Sequence, residues 1–371
     1  MAKRQIDYIL LCAVLALVAI GVVFVYSASY YSAEITYGNK YFFVIKQAIG
    51  AAIGLVAMLI FATVKPEFLK KLWIWGVVVS VVLLCLVFVP GIGVENYGAR
   101  RWIGFGSFTL QPSEIAKFAF VLFCAVYMSR VDMGKLRYCI PPVAVGLLFC
   151  GLIIAEPNMS ITMCMAMLML IMLYLGGMKW KYFLLLLVPF VIAVPLLIIV
   201  EPYRLQRLLA FIDPWASPKD EGYQLIQSLY ALGSGGWFGV GLFNSRQKYR
   251  FLPFAESDFV FAVIGEELGL FGCLAVFALY VTVILRGVRI AANGKDKFSC
   301  FLAGGISAVV AVQSLINFAV VTGSIPPTGL PLPFVSYGGT SLVVFMSAAG
   351  ILLNLSAQAN KNAFGERLWI T

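Results

Sequence analysis

Ten stretches of the chain are apolar for long enough to cross a bilayer, which takes roughly 17–25 residues of helix. They run over 8–29, 42–64, 72–89, 112–129, 138–155, 159–175, 183–200, 259–285, 301–322 and 336–357. Most are separated by a few polar residues, so the pattern predicts spanning helices joined by short loops. The expected fold is all-α and polytopic, a single domain over 1–371 with about ten transmembrane helices. An even number of crossings puts both termini on one side. One connection breaks the rhythm: 201–257, between the seventh and eighth helices, is a large loop. Within it Leu205, Leu208, Leu209 and Ile212 recur at helical spacing, which predicts a short amphipathic helix on the membrane surface.

Composition agrees with this pattern and narrows it. The 371 residues are 62% hydrophobic and 12% charged, where an average soluble domain is about a quarter charged. Mean hydropathy is +0.95. The net charge of +10 comes without a basic block or a base-stacking module, so nucleic acid is not the expected partner. Eight cysteines fall mostly within apolar runs at no metal-binding spacing and read as small apolar side chains. Histidine is absent. Acid–base chemistry near neutral pH therefore falls to a carboxylate, a tyrosine or a lysine. Residues 27–29, Ser-Ala-Ser, have the small side chains of a signal cleavage site, but the many spans that follow favour a retained anchor.

The distribution of positive charge orients the bundle. With a cytoplasmic N-terminus, every short inner segment is basic: Lys3 and Arg4; Lys65, Lys70 and Lys71; Arg130, Lys135 and Arg137; Lys179 and Lys181; Arg286, Arg289, Lys295 and Lys297; Lys361 and Arg367. Most of the other cations concentrate in two outer regions. Topology does not require them there.

The first region is 95–117. It is too polar and glycine-rich to span, yet Trp102, Ile103, Phe105 and Phe108 suit an interfacial or re-entrant segment. Glu114 and Lys117, spaced i,i+3 after Pro112, can pair on one helix face. Such a pair either braces helices or, with Arg100 and Arg101, presents cations to an anionic ligand; a planar guanidinium suits diphosphate. The second region ends in Arg246, Lys248 and Arg250, followed by Glu256, Ser257 and Asp258 at the mouth of the eighth helix. Glu266 and Glu267 lie about two turns further in, offset from Asp258 by roughly 80° and 180°, so only one can share its cavity. An acid at a helix start is ordinarily a cap. Three within ten residues, beside a basic loop, point to chemistry instead. In the last third, prolines 326, 327, 331 and 333 forbid a continuous helix over 317–341, and uncharged irregular backbone at that depth predicts a cavity wall. The turn at Glu156-Pro157-Asn158 carries no readable role.

These motifs in this order resemble the SEDS family (shape, elongation, division and sporulation; FtsW, RodA and SpoVE). The resemblance rests on 98–102 (GARRW), 111–114 with Lys117 (QPSE…K), Asp213-Pro214-Trp215, Gly222-Tyr223-Gln224, Asn244-Ser245 with Gln247-Lys248, Ser257-Asp258-Phe259, 265–269 (GEELG) and 323–342 (GSIPPTGLPLPFVSYGGTSL). It covers essentially the whole chain, and details are closer to FtsW or SpoVE than to RodA. Glu156-Pro157-Asn158 departs from the Gln-Pro-Asp of many members.

The resemblance implies an inverting peptidoglycan glycosyltransferase that polymerises lipid II at the outer face of the bacterial plasma membrane, at a division or sporulation septum. Implied partners are a class B penicillin-binding protein, membrane lipids and other divisome or sporulation proteins. Asp258 stands where the family has an essential aspartate and is the expected base. Arg100, Arg101, Lys117, Asn244, Lys248 and Ser257 are expected substrate contacts, with Glu114 and Glu266 supporting. No metal site is readable; a divalent cation, Mg2+ or Mn2+, beside Glu266 is the one cofactor the chemistry leaves room for. Physics alone leaves a lipid II flippase or a non-enzymatic scaffold open, and the resemblance favours the polymerase.

Overall fold

The computed structural model describes residues 6–96, 99–105, 108–200 and 202–359. Gly98 of the resembling motif and the terminal cations Lys3, Arg4, Lys361 and Arg367 lie outside them, as do the side chains of Phe105 and Phe108. The architecture is helical, and each predicted stretch contains a helix. They are α1 (Tyr8–Tyr37), α2 (Phe42–Thr63), the short α3 (Pro66–Lys71), α4 (Trp73–Leu86), α5 (Pro112–Met128), α6 (Leu136–Ala155), α7 (Met159–Leu175) and α8 (Trp180–Val200). The long connection holds α9 (Pro202–Ile212) and α10 (Tyr223–Gly235), and α11 (Val260–Ala292), α12 (Lys297–Val321) and α13 (Gly339–Gln358) complete the chain. Among the described residues, six helices are long and apolar enough to cross a membrane: α1, α2, α6, α11, α12 and α13. This is a multi-pass membrane protein.

The expected interfacial segment is instead a small antiparallel sheet, β1 (Gly93–Asn96), β2 (Ala99–Phe105) and β3 (Phe108–Leu110), in the order β1-β2-β3. Backbone that leaves the helical bundle still needs its hydrogen bonds satisfied, and cross-strand pairing satisfies them locally. Alternation then buries Ala99 and Ile103 and leaves Arg100 exposed. Residues 27–29 are buried inside α1, which continues past the predicted end to Tyr37.

The core is built around α12, which packs against α5, α7, α11 and α13. Close approach relies on missing side chains where α13 meets α2: a Cβ on Gly350 would stand 2.3 Å from the Met58 carbonyl oxygen. Helix α11 breaks at Gly269, whose φ of 67° and ψ of −164° only glycine adopts readily. The backbone around the break bonds instead to the glycine-rich segment after α10: Leu270 N donates to Gly236 O at 2.9 Å and Val240 N to Glu266 O at 2.9 Å.

At one end of the bundle, Arg286 pairs with Asp7 at 2.7 Å and Lys70 with Asp296 at 2.6 Å. The opposite end gathers the sheet, the α6–α7 turn, the long connection and the start of α11. That end holds the candidate site.

Candidate active site at the mouth of α11

Three consecutive carbonyls fix the approach to α11. Glu256 O accepts from Tyr337 N at 2.9 Å, Ser257 O from the Ser336 hydroxyl, and Asp258 O from Asn317 Nδ2 at 2.9 Å. All three donors come from the proline-broken segment or the end of α12 that leads into it. The same Asn317 amide donates to Leu330 O at 2.8 Å. Gly329, next along, presents its missing side chain to the acid; a Cβ there would sit 3.4 Å from Asp258 Oδ2. The segment read as a cavity wall is thus the wall of the Asp258 carboxylate.

Asp258 does not cap α11. The N-cap is Phe259, and no side chain bonds the first-turn amides. Its carboxyl is pushed up to about 7, first by burial and then by Glu256 nearby, against the opposing pull of Arg207, Arg101 and the Ser257 hydroxyl. Burial raises Glu256 as well. A carboxyl raised toward neutrality within the field of two guanidinium groups has the properties that proton transfer requires.

Arg101 reaches this point from β2, its Nε donating to Glu156 O at 3.4 Å and Nη2 to Pro157 O at 2.5 Å. Arg207 comes from the amphipathic α9. Of the other expected contacts, Ser257 adjoins the acid, but four residues are held elsewhere. Arg100 points away, paired with Glu95 at 3.2 Å. Asn244 is exposed and donates to Val240 O at 3.4 Å. Lys248 is buried against Glu267 at 3.2 Å and over the Tyr30 ring at 4.9 Å. Lys117 is buried against Glu114 at 2.8 Å and donates to Gln313 Oε1.

Glu266 and Glu267 were expected to face different neighbours, yet both hold one loop. Glu266 accepts from the Ser245 hydroxyl, Arg246 N at 2.8 Å and Gln247 N at 3.4 Å. Glu267 accepts from Phe243 N at 3.0 Å, Ser245 N at 3.2 Å, Ser27 Oγ at 2.6 Å and Lys248. The loop curls around α11 and meets both sides of it. Both Glu266 oxygens accept from loop donors. Among the described residues no group of three acids, cysteines or histidines stands together as a metal site.

A family model described as a cell cycle protein, covering FtsW, RodA and SpoVE, matches residues 8–361. The chain belongs to the FtsW/RodA/SpoVE family. It is 37% identical over 364 residues to stage V sporulation protein E of Bacillus subtilis (strain 168), covering 95% of this chain and 98% of that one. It is 39% identical over 374 residues to a probable peptidoglycan glycosyltransferase FtsW of Pseudomonas fluorescens (strain SBW25), covering 98% and 91%. A solved chain from a peptidoglycan synthase complex superposes with a TM-score of 0.80 at 26% identity, over 96% of this chain and 99% of that chain. RodA of Thermus thermophilus shares the fold, with a TM-score of 0.72, 24% identity and the same coverage of the two chains.

In this FtsW/RodA/SpoVE chain, Arg207, Gln313, Asn317 and Gly329 stand at the site without being among the contacts expected from sequence. Gln313 and Asn317 left a readable signal: two amides four residues apart, on one face of an otherwise apolar helix. Their duties differ by one turn. Asn317 holds Leu330 O, while Gln313 accepts from Lys117 and donates to Pro331 O at 2.9 Å. Lys117, Gln313 and Pro331 form a strut from α5 through α12 to the wall beside Asp258. Gln313→Leu should leave the Lys117 charge short of a partner and Pro331 O unpaired. The expected cost is about 1–3 kcal/mol, read as a lowered melting temperature, together with a reduced turnover rate.

Proposed function

We propose that this chain is a peptidoglycan glycosyltransferase that polymerises lipid II at the outer face of the bacterial plasma membrane, serving division or sporulation at the septum. The observation that carries the reading is the Asp258 carboxyl, its backbone pinned by Asn317 at the mouth of a membrane helix and its charge within the field of Arg101 and Arg207. The family and the names of its relatives support the same activity.

The reaction needs two things from the protein. The acceptor sugar hydroxyl must lose its proton as it attacks the donor's anomeric carbon, and Asp258 takes that proton. The bond from that carbon to the diphosphate oxygen breaks, its electron pair leaving on undecaprenyl diphosphate. Arg101 and Arg207 stabilise the departing charge. One base and one direct displacement invert the anomeric centre, by the logic of inverting glycosidases. A helix mouth suits this chemistry because the lipid tail stays in the bilayer while the sugars stay in water.

The likeness to a chain of a peptidoglycan synthase complex supports a class B penicillin-binding protein as the partner that crosslinks the product. The reading is tested with the purified chain, its partner and labelled lipid II, by resolving the products on a gel. Glycan strands are expected; labelled lipid II crossing vesicle membranes without polymer would make the chain a flippase instead.

A further inference from the structure

Glu156 closes α6 in the turn that cradles Arg101, and the mechanism leaves it unused. Its side chain is completely buried, and among the described residues neither carboxyl oxygen has a hydrogen-bond partner. Its own carbonyl and that of Pro157 bind the Arg101 guanidinium. Arg101 is thus held at the Glu156 turn, and its charge acts on both the Glu156 and the Asp258 carboxyls. A buried acid without donors is costly as an anion, and the counter-charge beside it is an active-site cation.

We propose that Glu156 is a positioning residue for Arg101: while neutral it leaves the arginine's charge to Asp258 and the substrate diphosphate, and on ionising it takes that charge away. Several charged groups on the neighbouring elements are paired with one another. Arg100 on β2 is paired outward with Glu95. Glu114 and Lys117 on α5, and Glu267 on α11 with Lys248, satisfy each other. Arg207 on α9 and Glu256 before α11 act on Asp258. Burial raises the Glu156 carboxyl to about 8, with Arg101 opposing, so the neutral form prevails at pH 7. Raising the pH through about 8 puts a second negative charge against Arg101 and removes a cation from the leaving group.

The inference rests on the glycosyltransferase reading for one arm of its test and stands apart from it in the other. In the first arm, polymerisation by the wild-type chain and by Glu156→Gln, each with its partner, is followed between about pH 6 and pH 10. Gln copies the neutral acid in shape and hydrogen-bonding capacity. Wild-type turnover should fall about tenfold one unit above the Glu156 titration, while the variant holds its neutral-pH rate. An alkaline limb identical in both proteins would overturn the proposal. So would a variant already crippled at pH 7. In the second arm, the protonated-carboxyl infrared band lost between wild type and variant is titrated in detergent, with no substrate present. A band that vanishes near pH 8 supports the exchange; one that vanishes below about pH 6 overturns it. If neither protein makes polymer, the glycosyltransferase reading is what fails, and the infrared titration still decides the role of Glu156.

Discussion

Asp258→Asn should reduce glycan polymerisation by about 10²–10⁴-fold, the usual contribution of a positioned base. Asn keeps the shape of the side chain and cannot accept the acceptor's proton. Folding should survive, because the carbonyl held by Asn317 belongs to the backbone and the change removes a partly buried charge rather than adding one. Melting temperature at pH 7 is therefore expected to be equal or slightly higher. The pH profile supplies a second check. With the Asp258 carboxyl at about 7, the base form is lost as pH falls through that value. Wild-type turnover should then drop about tenfold for each unit well below it, leaving an acid limb. Any residual rate of the Asn variant should lack that limb. Full activity in a folded Asn variant would remove Asp258 from the reaction.

Glu267→Ala should be the most damaging single change to stability. It strands the buried Lys248 ammonium and frees Phe243 N, Ser245 N and the Ser27 hydroxyl at one stroke. Removing one partner of a buried pair costs about 3–5 kcal/mol. The loss should appear as a much lower melting temperature and as new protease cleavage within 243–248, where the loop has lost its clamp. Replacing both partners, Glu267→Leu with Lys248→Met, should recover part of that stability, since it leaves no stranded charge. The recovery stays incomplete because the two amides remain unpaired. A double variant no better than Glu267→Ala would show that the ion pair is not what holds the loop.

These two expectations separate roles that look alike in one dimension. Asp258, Glu266 and Glu267 are three acids in ten residues, and on spacing alone each could carry chemistry. Asp258 lies in the field of two arginines and does not cap α11, whereas the glutamates accept mainly from donors of one loop, with Ser27 of α1 added at Glu267. The lysines divide in the same way. Lys117 and Lys248 were reasonable diphosphate contacts, yet each is buried against its own carboxylate. Arg101 and Arg207 bring the positive field to Asp258 instead. A guanidinium can hold backbone carbonyls and still project charge, as Arg101 does from Glu156 and Pro157.

Hydrophobic length by itself determined the helical, membrane-embedded character of this chain, because lipid forces backbone polar groups into helices whatever the side chains do. Leucine spacing determined the amphipathic α9, four prolines the irregular wall between α12 and α13, and Asp258 stood out as an ionisable group where such groups are costly. Only the tertiary structure decided which charges meet. Which partner a long side chain finds depends on loops folding back across helices far apart in sequence, as 243–248 does over α11 and 329–331 beside Asp258. The sheet over 93–110 was hidden for a related reason: its strands are short, glycine-rich and without a long apolar alternation, so pairing between neighbours, not local preference, makes them strands.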